Sequence, residues 1–177
     1  HVPHDYNPVG TYRTEITVPE SFKGKKVYIH FGAVKSFFYL WLNGKYVGFS
    51  KDSKTPAEFD LSPYLQNGTN ILAMQVFRWS DGSYLECQDM WRMSGINRDV
   101  YLVARPENHI RDFFAKSTLT DDYKKGKLEL DVLFNKSGPD LEAGKSIKIA
   151  LFETVNQKPV FSETIPLHAL AGRDSLR

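Results

Sequence analysis

"FFYLWLNGKYVGF", Phe37 to Phe49, decides the fold. A dense apolar run from Phe37 to Leu42 stops at Asn43-Gly44, and Tyr46 to Phe49 returns. Asn-Gly tolerates positive φ at both central positions, which a two-residue type I′ turn demands. The stretch therefore predicts an antiparallel hairpin.

The flanking sequence follows the same grammar. Thr11 to Val18 alternates, with Tyr12 and Ile16 among its bulky residues. In "VYIHF", Val27, Ile29 and Phe31 share one face while Tyr28 and His30 share the other. "TPAEFDLSPYL", Thr55 to Leu65, reads as a short strand and a single helical turn, because Pro56 and Pro63 interrupt any ladder. Asn67-Gly68 is a second turn, Asn70 to Trp79 a central strand, and Asp99 to Ala104 a further strand. Arg105-Pro106-Glu107-Asn108 breaks the pattern, which divides the chain into domains 1–107 and 108–177. Beyond it, Ile110 to Leu119, Lys127 to Phe134, Ser146 to Phe152 and Val160 to Ile165 are strand candidates. Turns at Ser137-Gly138-Pro139 and Asn156-Gln157 separate them. There is no long helical pattern and no internal repeat. The expectation is an all-β chain, with one sandwich followed by part of a second. The last stretch, "ALAGRDSLR", does not read as a finishing strand. The second domain is shorter than the roughly 100 residues an immunoglobulin-like sandwich needs, so it is expected to be incomplete.

Composition excludes several classes. The 177 residues suffice for one large β domain or two small ones. With 23 basic and 21 acidic residues the net charge is only +2, which is no footprint for nucleic acid. Lys124-Lys125-Gly126-Lys127 reads as a solvated turn. No apolar run reaches the ~18 residues of a membrane helix. His1-Val2-Pro3-His4 has neither an initiator Met nor an apolar signal region, so the chain is expected to begin inside a longer one. Cys87 is the single cysteine, so no intrachain disulfide forms. That favours a reducing compartment, the cytoplasm over the periplasm.

One stretch does not fit a plain sandwich. "DGSYLECQDMWRMSG", Asp81 to Gly95, holds three acids, two aromatics, an arginine and the cysteine. A glycosidase needs two carboxylates about 5 to 10 Å apart. Asp81, Glu86 and Asp89 lie together here, but acids in a polar loop are most often solvated or bonded to backbone amides, and no catalytic pair is assigned. His1, His4, His30, His109 and His168 all lie away from the loop, and no Gly-x-Ser-x-Gly occurs. Structural zinc has no His/Cys pattern to bind, and no glycine-rich phosphate loop is present. Asp81, Glu86, Gln88 and Asp89 offer oxygen to part of a hard-cation shell. Trp79, Tyr84 and Trp91 flank the acids in the mixture that sugars favour, with aromatic faces for C–H patches and carboxylates for hydroxyls. Trp79 reads as core or interface filling. Tyr84 and Trp91 stand open between that role and a ligand face.

The long block "RWSDGSYLECQDMWRMSGINRDVYL", Arg78 to Leu102, resembles the β-galactosidases of glycoside hydrolase family 2. So do "NPVGTYRTEITVPESF", "WLNGKYVGFSKDSKTPAEFDLSPYL" and "GTNILAMQVFRWSDGSYL". The likeness runs from about Asn7 to Pro106 and exceeds the shorter family core Gly95-Ile96-x-Arg98-x-Val100. It implies a jelly-roll sugar-binding domain, then part of an immunoglobulin-like sandwich, with a TIM barrel elsewhere supplying both catalytic glutamates. The chain stops before that barrel, so it is expected to carry no catalytic residue and no hydrolase activity alone. By motif match, Asp89 is the aspartate that reaches into the barrel's active site. There it contacts galactosyl hydroxyls and helps hold a sodium ion. The resemblance expects no cofactor in this chain itself, but sodium, and magnesium in the barrel, for the full enzyme. Relatives bind a structural magnesium partly through residues matching Lys51 and Asp81. An ammonium cannot coordinate a metal, so that site is not expected here. Cys87 also replaces an acid. The implied partners are a β-galactoside, the remaining domains and further copies in a homo-oligomer, with no nucleic acid and no membrane. An independent carbohydrate-binding module and an oligomer-interface domain are the competing functions.

Overall fold

A computed structural model describes residues 2–3, 5–86, 89, 91–135, 145–167 and 175–176. The expectations that fall on His1, His4, Cys87, Gln88, His168 and the turn Ser137-Gly138-Pro139 lie outside these residues. The chain forms two units, divided between Pro106 and Glu107.

The first unit is an all-β sandwich. Strands β1 (Val9–Thr17), β7 (Thr69–Phe77), β4 (Phe37–Leu42) and β5 (Lys45–Ser50) form one sheet in the order β1-β7-β4-β5. β6 (Ala57–Asp60), β2 (Lys26–Phe31) and β9 (Val100–Arg105) form another, in the order β6-β2-β9. Both sheets are antiparallel throughout. A third, minimal pairing joins β3 (Val34–Lys35) to β8 (Gly95–Ile96). The single helical turn expected within Thr55 to Leu65 is a 3₁₀ turn spanning Ser62–Tyr64.

Alternation decides what is buried. In β4, Phe38, Leu40 and Leu42 face inward while Phe37, Tyr39 and Trp41 stay half-buried on the other face. Leu72, Met74 and Val76 of β7 join them, and Ile29 and Phe31 of β2 close the core from the second sheet. Each such side chain contributes about 1.5–3 kcal/mol by leaving water. The apolar run at β7 predicted a central strand, and β7 does lie between β1 and β4.

The deciding hairpin has the expected backbone, with Asn43 at φ 53° and Gly44 at φ 76°. Its Asn43 side chain also works at long range. Asn43 Nδ2 donates to Tyr64 O and to Asn70 Oδ1, and Asn43 Oδ1 accepts from Ile71 N. The turn is thereby tied to the start of β7.

In the second unit, β10 (His109–Thr120) and β11 (Lys125–Asn135) make a long hairpin. β12 (Ser146–Phe152) and β13 (Pro159–Pro166) make another. One expectation needs correction: the final stretch does contribute to a sheet. β14 (Ser175–Leu176) pairs with Val132 and Leu133 of β11. A two-residue strand shows no alternation, so the sequence carried no sign of it.

Candidate functional site

The loop from Asp81 to Gly95 leaves the end of β7 and returns through β8. Its first turn is helical, α1 (Ser83–Glu86), with Leu85 N and Glu86 N both donating to Gly82 O. Before the loop, Asn7 clamps the end of β7. Its Nδ2 donates to Trp79 O and its Oδ1 accepts from Trp79 N, each at 3.0 Å. Trp79 is half-buried there, with the Arg78 guanidinium 5.3 Å from its ring centre. It is not a member of the core cluster.

Hydroxyls staple the loop's entrance. Ser36 and Ser83 are fully buried, and the Ser36 hydroxyl donates to Ser80 Oγ at 2.8 Å while Ser80 N donates to Ser83 Oγ at 3.0 Å. Lys35, immediately before Ser36, is also buried, and its Nζ donates to Trp91 O at 3.1 Å. The ladder contact of Lys35 with Gly95 then fixes the loop's exit. Gly95 takes φ 102°, a conformation only glycine adopts readily. Sequence reasoning missed the whole Lys35-Ser36 anchor. A lysine in an apolar run signals an exposed position, and its partners lie 44 to 56 residues away.

The three acids part company. Asp81 Oδ2 lies 2.9 Å from Lys51 Nζ, both side chains being largely exposed. The hydrogen bond from Lys51, then that from Gly82 N, holds the Asp81 carboxyl below its ordinary value. Where a metal would need an oxygen donor, an ammonium already takes this carboxylate, so the donor set does not fit magnesium. Glu86 turns inward, and its Oε1 accepts from Ser53 N at 3.0 Å. Asp89 alone is exposed and without such a commitment, at φ 48° in the left-handed region that aspartate tolerates.

Around Asp89 the large apolar side chains among the described residues are exposed. Leu85 is 86% exposed, Trp91 82%, Met93 61% and Tyr84 59%. Neither Tyr84 nor Trp91 fills the core, which leaves an interface or a ligand face for both. Among the described residues, no group of three His, Cys, Asp or Glu is placed to hold a metal. One exposed carboxylate fits part of a sodium ion's oxygen shell and cannot complete it. Two further surfaces lie elsewhere on this unit. Glu58 binds Arg105 through two bonds of 2.6 and 2.8 Å, raising the guanidinium pKa above its already high value. An open cleft of about 430 Å³ is lined by His30, Gly32, Asn97, Arg98, Asp99 and Tyr101.

Comparison with known proteins places this geometry in context. A family profile described as glycosyl hydrolases family 2, sugar binding domain, matches residues 1–106. A β-galactosidase of Priestia megaterium (strain DSM 319 / IMG 1521) is 48% identical over 162 residues, covering 89% of this chain and 16% of that protein. A β-galactosidase of Clostridium acetobutylicum is 41% identical over 169 residues, covering 95% of this chain and 19% of that protein. The chain therefore spans less than a fifth of the length of either. Among solved structures, a β-glucuronidase of Parabacteroides merdae shares the fold, with a TM-score of 0.75 at 19% identity, over 91% of this chain and 22% of that one. A β-glycosidase of Bacteroides vulgatus superposes with a TM-score of 0.64 at 26% identity, over 89% of this chain and 21% of that one.

Proposed function

The chain belongs to the glycosyl hydrolases of family 2 through their sugar-binding domain, and on that premise we propose that it is the non-catalytic amino-terminal portion of a retaining β-galactosidase. In this reading the whole enzyme hydrolyses terminal β-D-galactosides in a TIM barrel that this sequence does not include. Asp89 completes that active site from outside.

The observation that carries the reading is the form of the loop. It is anchored from below by Lys35, Ser36 and Ser83, and it presents one uncommitted carboxylate among outward-facing apolar side chains. Such an arrangement is an edge of a pocket and not a pocket. Retaining hydrolysis takes two carboxylates about 5–5.5 Å apart, one as nucleophile and one as acid and then base. Asp81 and Glu86 are engaged with Lys51 and Ser53, so neither pairs with Asp89 for this work. Asp89 instead accepts hydrogen bonds from galactosyl hydroxyls and gives one oxygen to the shell of a sodium ion. The ion, when bound, supplies fixed positive charge that orients sugar hydroxyls. Charged hydrogen bonds of this kind are worth about 1.5–3 kcal/mol each.

A specific observation supports a second reading, that of an independent carbohydrate-binding module. Tyr39, Trp41, Tyr46 and Phe49 form an aromatic cluster on the outer face of β4 and β5. Their planes, however, cross at 54°, 61° and 63°, so they build no flat platform for a sugar ring. Titration of the purified chain with galactose and lactose separates the two. The accessory reading expects no saturable binding in the millimolar range, and millimolar or tighter affinity would replace it with the module.

A further inference from the structure

Resting on the reading of Asp89 as an outside contact to a sugar pocket, we propose that Lys35 is the positioning residue for that aspartate. Lysine is almost never fully buried without a partner, yet Lys35 is only 2% exposed. Its ammonium donates 3.1 Å to Trp91 O, two residues beyond Asp89. Among the described residues the other anchors are Ser36 at Ser80, Ser53 N on the Glu86 carboxylate, and the β3–β8 ladder at Gly95. Among the described residues, Lys35 Nζ is the anchor that grips the segment following the aspartate. A buried ammonium that loses its acceptor is left unpaired at large cost, so the cation and the Trp91 carbonyl hold each other in place. Asp89 sits at φ 48°, in the left-handed region that aspartate tolerates. Buried as it is, Lys35 cannot touch a sugar. It acts through the backbone, setting the direction in which the carboxylate projects.

The test uses the chain as it is and needs no substrate. Backbone ¹⁵N order parameters at Asp89, Trp91 and Arg92 should lie near ~0.85 in the native chain and fall below ~0.6 in Lys35→Met. The amide shifts of Leu40 and Leu72 should stay in place. Lys35→Arg, which keeps a cationic donor, should recover at least half of the lost order. A Lys35→Met loop as ordered as the native one, or an Arg variant no better than Met, overturns the proposal. Should Lys35→Met fail to fold, reductive methylation of the native chain decides. Lys35 should react at least about tenfold more slowly than the exposed Lys51, as expected of a group reached only by local opening. Equal rates would overturn the anchor. Neither measurement depends on sugar binding, so failure here leaves the role of Asp89 standing, and the reverse holds as well.

Discussion

Replacing Asn70 by alanine should destabilise the first unit by about 2–4 kcal/mol. Asn70 is fully buried at the start of β7. Its Oδ1 accepts from Asn43 Nδ2 and Gln66 N, both at 2.8 Å, and its Nδ2 donates to Gln66 O and Gly68 O, both at 3.0 Å. All four bonds vanish with the side chain. The loss is softened in two ways. Gln66 and Gly68 are exposed, so water takes over at their backbone groups, and Asn43 Nδ2 keeps Tyr64 O. Four exchanges at about 0.5–1.5 kcal/mol each, trimmed for these two compensations, give the stated range. For a unit of this size that corresponds to a fall in Tm of roughly 10–25 °C. Urea unfolding followed by circular dichroism measures it, with an unchanged m-value showing that the native state is intact. Asn70→Asp should cost at least as much at neutral pH, because it turns an anion toward two carbonyls. A loss below about 0.5 kcal/mol in Asn70→Ala would refute the claim that this amide ties the hairpin turn to β7, since that is less than one ordinary hydrogen bond.

Other perturbations test the same structure at different points. A Cβ on Gly48 would lie 2.8 Å from Phe59 Cε1, and that ring is wedged edge-on against Phe31 and Phe38. Gly48→Ala should therefore cost about 1–3 kcal/mol by overpacking, read from the same urea curves. The Lys51–Asp81 pair has a defined pH signature. Because the folded carboxyl sits below its ordinary value of 3.8, the pair's contribution is present above that value and is lost as pH falls through the lowered one. In Lys51→Gln the Asp81 titration midpoint, followed by carboxyl ¹³C shifts, should move up toward 3.8, and the Tm difference from the native chain should vanish in acid. Both effects should shrink in high salt, since both partners are exposed. An unmoved midpoint would mean that the 2.9 Å contact does not persist in solution.

The parts of the fold that the sequence disclosed are those governed by short-range rules. Asn43-Gly44 announced its hairpin because only a few residue pairs take positive φ twice, β2 showed its inward face by alternation, and β4 and β7 were legible as apolar runs. The parts it hid depend on distant partners. β3, β8 and β14 are two residues each, too short for any period to appear. Lys35 was not singled out, because its burial is imposed by a loop more than fifty residues onward. The loop itself was visible as an anomaly of composition, and Asp89 was singled out only through resemblance to a family. Residue types alone did not separate it from Asp81 and Glu86. The structure separates them by their partners, Lys51 for one and Ser53 for the other.

Under the function proposed above, those commitments explain how a sandwich domain carries a residue for chemistry done elsewhere. Rigid strands place the loop, buried hydroxyls and an ammonium fix its course, and the large side chains at its crown stay exposed. Large apolar side chains left outside a domain's own core commonly mark a contact surface.

The most direct trial of this account is Asp89→Asn in a polypeptide that includes the catalytic barrel, assayed with a chromogenic β-galactoside. Removing one charged hydrogen-bonding partner from a water-excluded site costs about 2–5 kcal/mol, so kcat/KM should drop at least about 30-fold. The amino-terminal unit should keep its unfolding midpoint, because Asp89 is exposed and outside the core. Turnover within twofold of the unmodified enzyme would contradict the central claim that this carboxylate completes a sugar site built by another domain.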